Sequence, residues 1–274
     1  MGRTLAPFLI FALTACAAPQ PGSATTGLTL VSMNPCTDAI LAEVADPQQL
    51  LAISSYSQDP ASSSMDLARA RAMRGVSGTV EEVLALHPQI VIGSSFTAPG
   101  TRMALERLGY RFEAFGLAGT VEESREQVRA LAKIAGHPER GEALVARIDA
   151  ALATAAPPPG PPVSAVVWQS GGIVPGQGTL INDLLSRTGF VNYAALRGLQ
   201  QADVLGLEAM LADPPQVIFA AGNRHSEEDR LLSHPALAAL TDTRRAAFDP
   251  KLLWCGGPTI VRTVARLAQV RRSL

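Results

Sequence analysis

Cysteine, lysine, histidine and aromatic side chains are all scarce in this chain of 274 residues. Three cysteines in that length exclude a disulfide-stapled scaffold. The basic and acidic residues, 23 against 24, leave a net charge of -1. There is no basic surplus to neutralise phosphates, so nucleic acid is excluded as a partner. Only Lys133 and Lys251 are lysines, a coding bias from which no function follows. Four histidines stand at 87, 137, 225 and 234, no two at metal-ligand spacing, which argues against a receptor for free zinc or manganese. His87 and His234 each precede a proline at a helix boundary and read as structural. No apolar run reaches the ~20 residues of a membrane-spanning helix. What remains is 47% hydrophobic with a mean hydropathy of +0.17, enough for a sizeable core.

The first sixteen residues are an address. Arg3 precedes the apolar stretch Leu5 to Ala15, the pattern of an export signal. Leu13-Thr14-Ala15-Cys16 resembles the bacterial lipobox, in which cleavage leaves a lipidated cysteine. The other reading is ordinary cleavage just beyond this point. Either way the mature chain is exported to the periplasm or cell envelope, with membrane contact only through an anchor on Cys16. Residues 17–27, small and polar with two prolines, are a flexible tether.

The chain contains itself twice. Residues 79–95 (TVEEVLALHPQIVIGSS) and 206–222 (GLEAMLADPPQVIFAAG) share Glu, an apolar residue, Leu-Ala and Pro-Gln at one constant offset. Helical spacing followed at once by a short buried strand is half of a parallel β/α unit. One unit in each half implies two similar α/β lobes with short parallel sheets. The expected strands include Leu28 to Met33, Leu50 to Ser54, Arg111 to Phe115 and Ser164 to Trp168. The expected helices include Cys36 to Val44, Ala98 to Leu108, Leu180 to Arg187 and Pro258 to Ala268. Between the halves, an apolar stripe from Val121 to Leu152 traces a long helix. Gly136-His137-Pro138 interrupts it, and a proline run at 157–162 stops it. Mostly helical, this connector would span about 50 Å and hold the lobes at a fixed distance. The expected division is an N-terminal lobe at 28–119, a connecting helix at 120–155 and a C-terminal lobe at 156–274.

These features together resemble the helical-backbone (class III) solute-binding proteins of bacteria, the extracytoplasmic receptors of ABC importers for cobalamin, ferric siderophores and haem. The resemblance covers about residues 28–270. It is carried by VSMNPCTDAILAEV, TVEEVLALHPQIVIG, the long helix, PGQGTLINDLLSRTGFVN and HPALAAL…WCGGPTIVRTVARL. It implies a monomer with a ligand cleft between the lobes, no intrinsic cofactor and a cobalt or iron chelate as ligand. It also implies an ABC permease and ATPase complex as partner. An acidic residue on each lobe would dock onto permease arginines, and these map to Glu81 and Glu208. Their alternative role is to complement their helix dipoles.

Ligands of open α/β sheets bind outside the carboxyl ends of the strands. That rule selects Asn34, Cys36, Tyr56, Phe96, Trp168, Arg224, His225 and Trp254 as ligand-binding candidates. Flat rings would suit a macrocycle or aromatic chelate. Trp168 and Phe96 read equally well as core plugs, and Arg224 as a solvated charge. His225, or Tyr56 if the ligand is haem, could coordinate a metal axially. Cys36 and Cys255 lie in opposite lobes, as a disulfide across the cleft, as buried thiols or as thiols lining the pocket. An enzyme is disfavoured: there is no nucleophile elbow, phosphate loop or Cys-x-x-Cys. A periplasmic adaptor that binds protein is the third reading.

Overall fold

The computed structural model describes residues 28–222 and 234–274. The export signal, the tether and Cys16 lie outside them, as do Arg224 and His225.

The first lobe runs β1 (Leu30–Ser32), α1 (Pro35–Val44), β2 (Leu50–Ser54), α2 (Leu67–Arg71), β3 (Gly75–Val76), α3 (Val80–Leu84), β4 (Ile90–Ser94), α4 (Pro99–Arg107) and β5 (Arg111–Phe115). Its five strands are parallel in the order β3-β2-β1-β4-β5. Helices α5 (Val121–Ala135) and α6 (Pro138–Thr154) follow.

The second lobe runs β6 (Val163–Gln169), β7 (Ile173–Val174), α7 (Leu180–Arg187), β8 (Phe190–Asn192), α8 (Tyr193–Leu196), β9 (Asp203–Val204), α9 (Leu207–Ala212), β10 (Val217–Ala221), α10 (Pro235–Ala238), β11 (Arg244–Phe248) and α11 (Thr259–Arg271). Its main sheet is parallel in the order β11-β10-β6-β8, and β7 pairs antiparallel with β9. The fold is thus the two-lobed α/β arrangement that the repeat implies. Strands β8 and β11 are additions to the sequence reading. The first has three residues and the second opens on two arginines, so neither carries a β-branched run.

The repeat has a structural reason. Gln89 and Gln216, which precede β4 and β10, do the same job in each lobe. The Gln89 Oε1 accepts from the Thr29 amide, and the Gln216 Oε1 from the Ser164 amide, both at 2.9 Å. Each glutamine therefore ties its strand to the neighbouring first strand of the lobe.

The central strands of both sheets are buried on both faces, so they are apolar at successive positions rather than at alternate ones. In β4, Ile90 and Ile92 enter the core beneath the helices, while Val91 packs on the opposite face with Val83 and Leu105. In β10, Val217, Phe219 and Ala221 join that same first core, while Ile218 and Ala220 face the other way. The first core is continuous through both lobes, with α1, α5, α6, α7 and α11 supplying its helical layer.

The connector breaks where the sequence places the break, but it does not continue as a rod. Gly136 takes a left-handed conformation (φ 80°) that ends α5, and α6 folds back along it. Arg129 meets Glu142 at 2.7 Å, and Arg125 Nε meets Asp149 at 2.8 Å, an antiparallel register. A glycine at 141 lets the helices close up, since a Cβ there would lie 2.6 Å from that of Ala132. The connector is therefore a helical hairpin, and α5 alone reaches about 22 Å.

Polar contacts seal the seam between lobes. The Val121 amide donates to Asp183 Oδ2 at 2.9 Å, and the Gly257 amide to Ser124 Oγ at 2.7 Å. Gly257 has φ +58° and sits so close to α1 that a Cβ would lie 2.5 Å from Ile40 Cγ1. Gly257→Ala is expected to cost about 1–3 kcal/mol through strain and overpacking. A urea midpoint equal to wild type would show that the α1–α11 seam has slack.

Candidate functional site

The carboxyl ends of the parallel strands meet at the junction of the lobes. At its centre β1 runs into α1. Asn34 caps that helix, its Oδ1 accepting from the Cys36 amide at 3.0 Å. Cys36 is disulfide-bonded to Cys255 of the other lobe, with Cα atoms 4.9 Å apart. Of the three readings open for these cysteines, the covalent bridge is the one found. It spans 219 residues of sequence and joins the first turn of α1, just past β1, to the loop between β11 and α11.

The strands flanking β1 end alike. Strand β2 runs into Ser54-Ser55-Tyr56 and β4 into Ser94-Ser95-Phe96. In each, the first serine turns its hydroxyl back to accept from the aromatic residue's amide, at 3.3 Å for Tyr56 and 3.1 Å for Phe96. Ser54 thereby caps a single 3₁₀ turn, Ser55–Gln58, and in both loops the local bond leaves the ring standing outward. Tyr56 is 62% exposed and Phe96 74% exposed. One strand separates their strands, which therefore lie about 10 Å apart. The Ser-Ser-aromatic pair was a readable signal that spacing arguments passed over.

Trp254, 52% exposed, stands beside the disulfide on the other lobe. It lines a cavity of about 220 Å³ with Leu117, Gly119, Gln169, Thr179 and Gln201 among others. Both lobes contribute, and a Cβ on Gly119 would come 2.7 Å from the Gly178 carbonyl oxygen. Among the described residues, none that lines it carries a charge. Leu117, Thr179 and Gln201 were not anticipated: Leu117 follows the carboxyl end of β5, a loop from which no candidate was selected, and Thr179 and Gln201 precede α7 and β9.

Trp168 is not part of this surface. It is fully buried on the outer face of β6, where its Nε1 donates to the Leu205 carbonyl at 3.2 Å. Alternation along β6 puts Trp168 on the Val166 face, packed with Met210 and Leu237. It is a core residue, and the ligand-binding expectation for it is corrected.

Glu81 and Glu208 are both exposed in the first turns of α3 and α9. The cap of α3 is not made by Glu81. Glu82 makes it, accepting from Ser77 at 2.7 Å and closing a capping box with Thr79. His234 Nδ1 caps α10 by accepting from the Ala236 amide at 3.2 Å, a structural role. Among the described residues no cluster of His, Cys, Asp and Glu could hold a metal ion. Nor is any of their helices long and apolar enough to cross a membrane.

One buried acid lies under the site. Asp38, fully buried in α1, accepts from the Ser54 amide at 2.9 Å and from Ser57 Oγ at 2.6 Å, both through Oδ2. Its Oδ1 has no partner among the described residues. Burial pushes its carboxyl up to about 8, against the opposing pull of its hydrogen bonds.

The two tryptophans are therefore expected to separate in stability. Trp168→Ala should cost about 3–5 kcal/mol by leaving a core cavity, whereas Trp254→Ala should stay within about 0.5 kcal/mol of wild type. Denaturant unfolding of both variants checks this, and equal losses would contradict the placement of one ring in the core and the other at the surface.

A family described as periplasmic binding protein matches residues 30–245. No curated protein matches the chain. Among solved structures, the chain is similar to a periplasmic heme-binding protein from Roseiflexus sp. RS-1, at 22% identity and a TM-score of 0.71, covering 90% of this chain and 97% of that one. It is also similar to a periplasmic heme-binding protein of Vibrio cholerae, at 18% identity and TM-score 0.72, covering 89% and 98%. A periplasmic vitamin B12-binding protein of Vibrio cholerae matches at 21% identity and TM-score 0.68, covering 89% and 96%. Identities this low speak for the fold alone. The family match spans most of the chain, and the protein belongs to the periplasmic binding protein family.

Proposed function

We propose that this chain is the extracytoplasmic substrate-binding component of an ABC importer, and that its inter-lobe cleft captures a metal chelate. The observation that carries the reading is a set of three exposed aromatic rings on the strand-end loops, Tyr56 and Phe96 in one lobe and Trp254 in the other, of which Trp254 lines a cavity whose described residues are uncharged. Large rings held out in water lose hydrophobic free energy unless something covers them. Three such rings on the strand-end loops suit a broad, flat ligand better than a small ion.

Pocket chemistry and not fold selects among chelates. A lining of Gln169, Gln201 and Thr179 between apolar walls offers amide and hydroxyl hydrogen bonds and, among the described residues, no counter-charge. This favours a neutral corrinoid such as cobalamin over an anionic ferric catecholate. A ferric hydroxamate stands next. Haem, with Tyr56 as axial ligand, is third. The metal in each case is cargo, and no intrinsic cofactor is part of the reading. Delivery would proceed by docking Glu81 and Glu208 onto basic residues of the permease. Glu82 makes the α3 cap, so Glu81 is not spent on it. Lipidation at Cys16 would keep the protein near that permease.

Calorimetric titration of the mature protein with cobalamin, a ferric hydroxamate, a ferric catecholate and hemin tests the ligand. One-to-one, sub-micromolar binding of cobalamin is expected, weakened by Tyr56→Ala, Phe96→Ala or Trp254→Ala. Binding of none of the four would remove the chelate assignment and favour an adaptor role. For docking, Glu81→Arg with Glu208→Arg is expected to leave ligand affinity intact and abolish uptake in cells. Normal uptake by that double variant would overturn the docking assignment.

A further inference from the structure

The ligand-facing ring Tyr56 hangs on a group that the binding reading does not use. The turn Ser55–Gln58 carries Tyr56, and both ends of its anchorage converge on one atom. Asp38 Oδ2 holds the Ser54 amide at the end of β2 and the Ser57 hydroxyl inside the turn. Asp38 is in the first turn of α1, two residues from the disulfide that joins the lobes. Its surroundings are otherwise neutral and polar. Ser32 of β1, whose hydroxyl also pulls the Asp38 carboxyl down, bonds Thr37 of α1 at 2.8 Å. No charged side chain contributes to the shift of Asp38. Asp59, which closes the turn, is held below the usual carboxylate range by Ser62 and stays ionised at neutral pH.

We propose that Asp38 is a positioning residue for the ligand cleft: its protonated form holds the Tyr56 turn in the binding geometry, and ionisation releases it. This rests on the reading of Tyr56 as a ligand contact. A buried carboxylate with one oxygen unpaired is costly, and the cheapest relief is to let water reach it. The element that can move is the short turn, because α1 is pinned by the disulfide and by the shared core. At 2.6 Å the Ser57 hydroxyl can donate to the carboxylate or accept from the acid, so it bonds either form. Only the acid satisfies the site without a buried charge.

The sign follows from linkage. The carboxyl binds its proton more tightly in the folded protein, at about 8, than at its ordinary 3.8. Its stabilising contribution is full in acid and is lost as pH rises through the folded value. Asp46, Asp59, Glu82, Glu122 and Glu142 are all held low, so their effect is the reverse and is confined to acid pH.

Two readouts separate this proposal from the binding reading. The first is hydrogen exchange of residues 54–59 at pH 6 and pH 9, corrected for intrinsic rates, in wild type and Asp38→Asn. Wild type is expected to lose protection by about tenfold or more relative to the variant. The second is affinity for whichever member of the chelate panel binds. Wild type is expected to bind about tenfold more weakly one pH unit above the midpoint, as the competent fraction falls. Asp38→Asn is expected to bind with one affinity at both pH values. If no chelate binds, the exchange result still decides the coupling. If a chelate binds with the same pH profile in both proteins, the coupling fails and the binding reading stands. Should Asp38→Asn not fold, Ser57→Ala removes one anchor without touching the acid. It is expected to lose protection at residues 54–59 already at pH 6, and wild-type protection there would overturn the proposal.

Discussion

Everything in this protein depends on two parallel sheets burying one face each against a single helical layer. Helices α1, α5, α6, α7 and α11 form that layer, and the side chains beneath them make one continuous apolar core. Two lobes with separate cores could hinge at small cost. Two lobes with a common core can part only by exposing apolar surface, at roughly 25 cal/mol per Å². The cleft is therefore of nearly fixed width. The disulfide between Cys36 and Cys255 reinforces this at the point where the strand ends meet. It closes a loop of more than two hundred residues, where chain-entropy arguments give a cross-link its largest effect.

Within that rigid frame, charge is kept to the outside. One group of ion pairs lies along the connector hairpin and its contact with α7, where Arg187 bonds Glu122 at 2.7 Å and Asp183 at 3.0 Å. The cavity itself is lined by apolar, amide and hydroxyl groups. Hydroxyl and amide side chains also shape the loops: Ser54, Ser94 and Asn34 each bond a backbone amide two residues on. Such short-range bonds fix loop geometry locally, and that leaves Tyr56 and Phe96 outside the core. Asp38 is the exception, an acid buried beneath the site and answered only by neutral groups.

Much of the fold was legible because its signals are local or periodic. The paired Glu-x-apolar-Leu-Ala…Pro-Gln segments announced two related lobes, and Gln89 and Gln216 show why the pattern recurs. Strands β2 and β5 and helix α7 have the bounds that hydrophobic patterning and capping residues assign. The site was legible in part. Tyr56, Phe96 and Trp254 follow strand or loop ends and are exposed. Trp168 also ends a strand, yet it is buried. A strand covered on both faces has apolar residues at every position, so its sequence does not tell which face a ring takes or whether it lies beyond the sheet edge.

The sequence by itself determined the class of architecture, the parallel sheets, the break at Gly136 and the strand-end loops that carry the candidate site. These follow from periodicity, turn chemistry and repetition, all properties of neighbouring residues. The tertiary structure decided the rest. It folded the connector into a hairpin, because burying the facing stripes of α5 and α6 against each other outweighs extending them. It brought Cys36 to Cys255, set Asp38 beneath Ser57 and moved Trp168 into the core. Each of these rests on a contact between residues far apart in the chain, or on a choice between two buried faces, and no local pattern encodes either.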